Sequence, residues 1–399
     1  MNLVGTARRR TAVIGAGAVG SMAAWQLAER GLEVHAFDRW GVPHHRGASG
    51  GQTRRFAVIS MADPDLPPLV LRAERLWRRL EEATGRRLLE QTGGLILGPA
   101  GSTSVRQAVT SCENWGLAHR VLDAQELRRR FPQHAVDDED IAVHDWVTGF
   151  LRPELAILAA IERAETLGTT VHHDTEILDI DVRSDTVGLT YRRTGRSADR
   201  PHSETFDAVV LAPGAWAATL LPDGLRAAIG AAGLTARRLA QTWFVPDDPS
   251  LYGAERFPVF ERVGLPGGAS VYGFPSQDGA TVKIGVKTRP HPEVADPARP
   301  DPHLTAEHIA EVREVVARRL PGLNPRPVQT SVHVESYTED GRPVVGLLPD
   351  AAHVAVAVGF SGGGFKYAPA VGEALGDLLA DGATEASIRQ FAPGRSATV

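Results

Sequence analysis

The chain has 399 residues, 43% hydrophobic and 23% charged, with 43 basic against 48 acidic residues and a formal net charge of −5. That is the composition of an ordinary soluble globular protein with a large core, and no basic tract marks a nucleic-acid surface. The single cysteine, Cys112, excludes an intrachain disulfide and a cysteine-based zinc cluster, and no apolar run is long enough to span a bilayer.

A reducing, cytoplasmic setting is therefore expected, with neither nucleic acid nor membrane as partner. The first element reads as a buried strand, TAVIG, entering a glycine turn and a helix with Met22, Trp25, Leu27 and Ala28 near helical spacing. Its basic start and small residues imitate a signal peptide, but the glycine spacing explains the segment better. Gly15, Gly17 and Gly20 form G-x-G-x-x-G between strand and helix, and Asp38 ends the next strand 23 residues after Gly15. The first glycine makes the turn, the second admits a pyrophosphate, and the third lets helix pack on strand. An acid at Asp38 suits the ribose hydroxyls of an adenine dinucleotide.

A second glycine loop, GASGGQTRR, follows at once, and a third, GFSGGGFK, lies near the C-terminus. An NAD enzyme has no evident use for both. A helix N-terminus at the third loop suits the negative charge of a reduced flavin, which favours FAD. The third loop also spells G-x-S-x-G, but the last histidine, His353, precedes Ser361, which removes the serine-hydrolase order.

Between the loops, Leu69, Ala73, Leu76, Trp77 and Leu80 mark one face of an amphipathic helix. FDAVVLAPGAW reads as a buried parallel strand, and residues 240 to 290 are β-rich. The adjacent histidine pairs 44–45 and 172–173 face opposite ways on a strand, so no metal site is expected. Only three of the 43 basic residues are lysines: Lys283, Lys287 and Lys366. In TVKIGVKT, Val282, Ile284 and Val286 point one way, and Lys283, Gly285 and Lys287 the other. A hairpin turning at Asp278-Gly279 sets Tyr272 opposite Gly285, on the lysine face. The glycine leaves room for something to approach the sheet there.

Taken together, VIGAGAVGSMAAWQLAERG, PHHRGASGGQTR, LWRRLEEATG, TGGLILGP, APGAW, YGFPSQDGATVKIG and GFSGGGFK resemble the sarcosine oxidase and N-methyltryptophan oxidase family of FAD-dependent amine oxidases, within the D-amino-acid oxidase superfamily. The resemblance spans nearly the whole chain. It implies α/β plus α+β architecture: a Rossmann-type FAD-binding domain (8–62, 148–218 and 328–390) interleaved with a β-rich substrate domain (63–147 and 219–327). It implies a flavoprotein oxidoreductase acting on CH–NH bonds, a small amine or amino-acid-like substrate, molecular oxygen as second substrate, hydrogen peroxide as product, and a monomer or homodimer.

Carried over residue by residue, the resemblance puts FAD against Gly15, Gly17, Ala18, Val19, Gly20, Asp38, Arg39, Ser49, Gly51, Thr53, Arg54, Ile177, Gly214, Trp216, Gly362, Gly363, Gly364, Phe365 and Lys366. It makes Lys283 the oxygen-activating lysine, Arg54 a flavin neighbour, Tyr272 an active-site tyrosine and Lys366 the binder of a substrate carboxylate. The departures are specific. The family's second carboxylate-binding arginine falls at Ala57, with Arg55 nearby but expected to face elsewhere. Active-site histidines fall at Lys287 and Gly50, and a tyrosine at Glu335. The flavin-linking cysteine falls at His333, so non-covalent FAD is expected and His333 is retained as a site residue. These changes point away from sarcosine as substrate. A dehydrogenase or desaturase using another electron acceptor stays open, as does a non-catalytic flavin module.

Overall fold

The computed structural model describes residues 8–195, 200–229, 233–287 and 291–395. A parallel sheet needs both faces covered and helical crossovers between strands. The apolar strands satisfy this in a six-stranded sheet. Its order is Val344–Leu348, Ala351–Val358, Ala208–Leu211, Arg10–Ile14, Glu33–Phe37, Thr170–His172. All pairs are parallel except the first. The helix Ala18–Glu29 is buried on nearly every side, from Val19 to Ala28. It packs between the sheet and the helices Pro153–Thr166 and Ala368–Asp381. Such depth requires small residues at the crossing. A Cβ on Gly20 would stand 1.7 Å from the Gly15 carbonyl oxygen, so that position is closed to any side chain.

An eight-stranded sheet forms the second layer, in the order Gln329–Tyr337, Thr235–Phe244, Val282–Lys287, Ser270–Gly273, Val259–Arg262, Gly94–Pro99, Asp140–Asp145, His119–Leu122. Its register decides where the chemistry goes. Glu261 pairs with Tyr272, Tyr272 with Gly285, and Trp243 with Lys283. Farther out, Gln241 pairs with Ser331, Leu239 with His333 and Arg237 with Glu335. Paired residues share a face and alternate residues repeat it. Glu261, Tyr272, Lys283, Gly285, Lys287, His333 and Glu335 therefore all project from one side. The other side carries Phe244, Phe260, Val271, Val282, Ile284 and Val286, which pack with Val312 and Val316 of the helix Ala306–Arg319. The valine–lysine alternation of TVKIGVKT thus divides as the sequence predicts.

Two elements sit elsewhere than the expected segmentation assigns them. The helix Pro67–Thr84 falls in the segment assigned to the substrate domain. Its buried face, with Leu69, Ala73, Leu76, Trp77 and Leu80, instead joins the core around the helices Ala18–Glu29 and Ala368–Asp381. The strand Gln329–Tyr337 falls in the segment assigned to FAD binding, yet it is an edge of the eight-stranded sheet. Periodicity states that a face is apolar, not which layer it covers.

Candidate active site

A cavity of about 460 Å³ runs from the end of the six-stranded sheet towards the chemical face of the eight-stranded one. Of the residues expected at the cofactor, Gly15, Gly17, Ala18, Val19, Asp38, Arg39, Ser49, Arg54, Ile177, Gly214, Trp216, Gly362, Gly364 and Phe365 line it. Asp38 is buried and accepts hydrogen bonds from the amides of Ala16 (2.9 Å) and Trp40 (3.0 Å), with His44 Nε2 at 3.1 Å. The helix Ala18–Glu29 begins at Gly17 without a side-chain cap. Its first amides have no intrahelical acceptor, and they open onto the cavity.

Gly20, Gly51, Thr53, Gly363 and Lys366 are not on that wall. Gly20 packs behind Gly15, as described. Gly51 and Thr53 belong to a tight loop whose carbonyls turn away from the cavity to hold Lys283. Gly51 and Gln52 both have positive φ, +96° and +69°. Glu154 steadies this turn by accepting from the amides of Gly51 (2.8 Å) and Gln52 (3.1 Å). Nothing in the sequence marked Glu154, because its partners lie 103 and 102 residues away.

Lys283 is 4% exposed. Its ammonium donates to Gly51 O (2.7 Å), Thr53 O (2.8 Å) and Thr53 Oγ1 (3.1 Å). The Phe274 and Trp243 rings close over it at 4.8 and 5.7 Å. Burial, reinforced by the Arg54 guanidinium, pushes its pKa well below the ordinary lysine value. Lys283 does not line the large cavity. It borders a second one of about 10 Å³, with Gln52, Thr53, Trp243 and Thr281. That space is about the size of one water molecule.

Nothing foreign approaches the sheet at Gly285. A Cβ there would stand 2.2 Å from Tyr272 Cζ, so the space belongs to the tyrosine ring. Lys287 Nζ lies 5.2 Å from the centre of the same ring and 3.0 Å from Glu261 Oε1. The other Glu261 oxygen takes a hydrogen bond from Arg55 Nη1. Arg55 therefore faces this cluster, contrary to the sequence expectation. Arg54 faces the cavity instead and donates to the carbonyls of Thr53 (2.9 Å) and Ala48. Adjacent strand residues point to opposite sides, Arg54 to the cavity and Arg55 to Glu261.

Burial alone would raise the Glu261 carboxyl, but Lys287 and Arg55 outweigh it and hold its pKa at about 2. Lys366 belongs to the same group. Burial, then Arg55 and Lys287, lowers its pKa to about 8, against the opposing pull of Glu261 and Asp63. Burial, with Glu335 and Glu261 adding to it against Arg54, raises the Tyr272 phenol above its ordinary value. No local sequence signal marks Glu261. Only the cross-strand pairing with Tyr272 brings it here.

His333 is 2% exposed, with Nδ1 3.3 Å from Gly47 O and Nε2 3.0 Å from Ser331 Oγ. Burial, aided by Arg54 and Lys283, lowers its pKa to about 3, so the ring is neutral. Its Cε1 would lie 2.6 Å from a Cβ on Gly50. The imidazole thus fills the space that a side chain at position 50 would take. Gly50→Ala is expected to cost about 1–3 kcal/mol through this overlap. Adding His333→Ser should recover most of that loss. Thermal unfolding of the two single variants and the double variant checks the coupling.

The family model described as DAO, FAD dependent oxidoreductase, matches residues 10–378. The chain belongs to this family. The monomeric sarcosine oxidase of Streptomyces avermitilis is 32% identical over 389 residues, covering 96% of this chain and 97% of that protein. The N-methyl-L-tryptophan oxidase of Yersinia pestis is 30% identical over 388 residues, covering 96% and 98%. Among solved structures, the open form of NikD, an amino acid oxidase essential for nikkomycin biosynthesis, superposes with a TM-score of 0.82 at 21% identity, covering 98% of both chains.

FAD fits the DAO-family cavity seen here. The uncapped helix N-terminus suits its pyrophosphate, and Asp38 stands where the adenosine ribose would lie. Trp216 lines the cavity, and its buried Nε1 has no partner among the described residues. His333, which the sarcosine oxidase resemblance puts at the flavin-linking cysteine, has both ring nitrogens within hydrogen-bond reach of protein atoms. Trp40, His44 and Phe360 also line the cavity. Sequence reading missed them because they follow landmark residues in loops without periodicity. Among the described residues, no group of three or more potential ligands could hold a metal ion, and no helix is long and apolar enough to cross a membrane.

Proposed function

We propose that this FAD-dependent oxidoreductase oxidises a secondary or cyclic amine that carries a carboxylate, in the manner of an N-alkyl or cyclic amino acid. The arrangement on one sheet face carries the reading. Lys283 lies on one side of the Tyr272 ring, behind the glycine loop. Arg55, Lys287 and Lys366 gather on the other side around a single buried carboxylate, Glu261. Bound FAD supplies acceptance of a hydride from the carbon next to nitrogen and return of the electrons to dioxygen as hydrogen peroxide.

The residues supply orientation and charge. Lys366 has no hydrogen bond from its ammonium among the described residues and is available to a substrate carboxylate. Arg55 provides the guanidinium that is missing at Ala57, held in place by Glu261. Tyr272 closes the sheet between the two halves and excludes water from it. Lys283 places a positive charge where reduced oxygen develops negative charge. The expected FAD residues that line the cavity keep that role in this reading, while Gly51 and Thr53 act behind it by holding Lys283. A reducing cytoplasm and a monomer or homodimer complete it, the former supported by the buried Cys112 thiol.

An anaerobic screen of N-methyl and cyclic amino acids is expected to bleach the oxidised flavin spectrum with at least one of them. Acid precipitation should release the flavin into the supernatant. A flavin that no amine bleaches would overturn the enzymatic reading, and a yellow pellet would overturn non-covalent binding. One observation favours a second reading. All three protons of the Lys283 ammonium are already donated to the loop, which leaves none for oxygen unless the loop shifts. That favours a dehydrogenase passing electrons to another acceptor. Peroxide formed in proportion to substrate consumed decides for the oxidase.

A further inference from the structure

Glu335 stands where the relatives' family carries a tyrosine, and it has no counterpart in the roles described so far. It is 5% exposed and lines the large cavity at the end formed by Arg54 and the third glycine loop. Its Oε2 accepts a hydrogen bond from Tyr337 at 2.9 Å and would stand 3.0 Å from a Cβ on Gly362. Oε1 has no hydrogen-bond partner among the described residues. Glu335 makes no ion pair there either, since the Arg54 guanidinium is committed to the carbonyls of Thr53 and Ala48. A buried carboxylate without a paired cation is costly unless it is protonated or a ligand supplies the charge.

The surroundings indicate which ligand. Arg54 faces Glu335 from the strand Arg54–Phe56, Lys287 from Val282–Lys287 and Tyr272 from Ser270–Gly273. On its own strand Tyr337 holds one oxygen, and Arg237 stands opposite across the ladder. Arg237 is turned to Glu293 at 3.2 Å and to the Tyr337 ring at 5.5 Å. The carboxylate-binding cations gather around Glu261, and the lone carboxylate stands apart from them on the edge strand Gln329–Tyr337, two strands from Lys287. That is the charge pattern of a zwitterion.

We infer that Glu335 binds the amine nitrogen of the substrate and takes its proton. The step balances simply. The N–H bond of the ammonium breaks as the proton passes to Glu335 Oε1. The freed nitrogen lone pair would then assist departure of the adjacent hydride, which bound FAD would accept, leaving an iminium cation. Burial raises the carboxyl above its ordinary value, against the pull of Arg54, Tyr337 and Lys287, which makes it a better proton acceptor. The enzyme then uses the protonated amine that prevails at neutral pH and does not wait for the rare neutral form.

This inference rests on the amine oxidase reading but is tested apart from it. The holoenzyme is titrated with trimethylglycine and with 3,3-dimethylbutyrate, which share shape and carboxylate but differ in the cationic nitrogen. Flavin absorbance reports both affinities without turnover. Wild type should favour the cation by about tenfold, and Glu335→Gln should reduce the preference to about twofold or less. In the same variant, the pH limb of flavin reduction by the substrate should move alkaline, towards the free amine. A wild-type enzyme that does not favour the cation overturns the inference, and so does an unchanged preference in Glu335→Gln. A raised flavin midpoint potential with the preference unchanged would place the carboxylate against FAD and not against substrate. Bleaching by amines would still stand in either case, because it depends on neither probe.

Discussion

Lys283→Met is expected to slow reoxidation of reduced flavin by dioxygen about a hundredfold, while anaerobic reduction by substrate changes less than about tenfold. The asymmetry follows from charge. Reduction moves a hydride and creates negative charge on the cofactor. Reoxidation creates a small, poorly solvated anion from oxygen, and a fixed cation nearby matters most there. The local geometry adds a second effect. Methionine fills the same apolar slot against Phe274 and Trp243, but it leaves the carbonyls of Gly51 and Thr53 without their donor. Each unsatisfied buried acceptor costs about 1–3 kcal/mol, so FAD affinity should fall as the loop loosens. Stopped-flow measurement of the two half-reactions separates these effects. Equal slowing of both would reduce Lys283 to a prop for the loop, and an unchanged oxygen reaction would remove its role altogether.

Glu261→Gln is expected to destabilise the protein by about 3 kcal/mol and to weaken binding of carboxylate ligands at neutral pH. The substitution preserves shape but leaves Arg55 and Lys287 without their shared anion. Lys287 is 40% exposed and contributes little to the loss, so Arg55 at 20% dominates it. The pH dependence has a definite sign. Glu261 is held near 2, below its unfolded value, so its stabilisation is full above the ordinary carboxylate range and fades as pH falls towards 2. Glu261 also supports the charge on Lys366, whose pKa is about 8. Its removal should shift the alkaline loss of ligand binding to lower pH. Thermal melts and spectral titration with a simple carboxylate, both across pH, measure the two effects. A variant that melts with the wild type and keeps its alkaline limb would show that the cluster is not coupled.

The most legible parts of the sequence were those with local periodicity or strict spacing. The glycine turn, Asp38, the amphipathic helix face and the alternation around Lys283 each rest on residues within one or two turns of chain. The Tyr272–Gly285 pairing was also accessible, because a hairpin fixes its own register. The rest depended on contacts between distant segments. Glu261 reaches the site across two ladders, and Arg55 meets it from 206 residues away. Arg55 is expected from the sequence to face elsewhere, and only its contact with Glu261 shows which way it turns. The exchange between Gly50 and His333 was visible as two departures from a pattern, but only coordinates show that one fills the space of the other.

The two-sided strand Val282–Lys287 has a consequence for how such an enzyme changes over time. Every second letter answers to the core, and the letters between face the glycine loop, the Tyr272 ring and Glu261. Change at the half-exposed Lys287 therefore costs the core little, whereas Glu261 and Tyr272 are tied to their neighbours by charge and packing. A single inserted or deleted residue in that strand is different in kind. It would exchange the two alphabets at once, sending lysines inward and valines to the catalyst. Point substitution is the open evolutionary route at this site, and length change is the closed one.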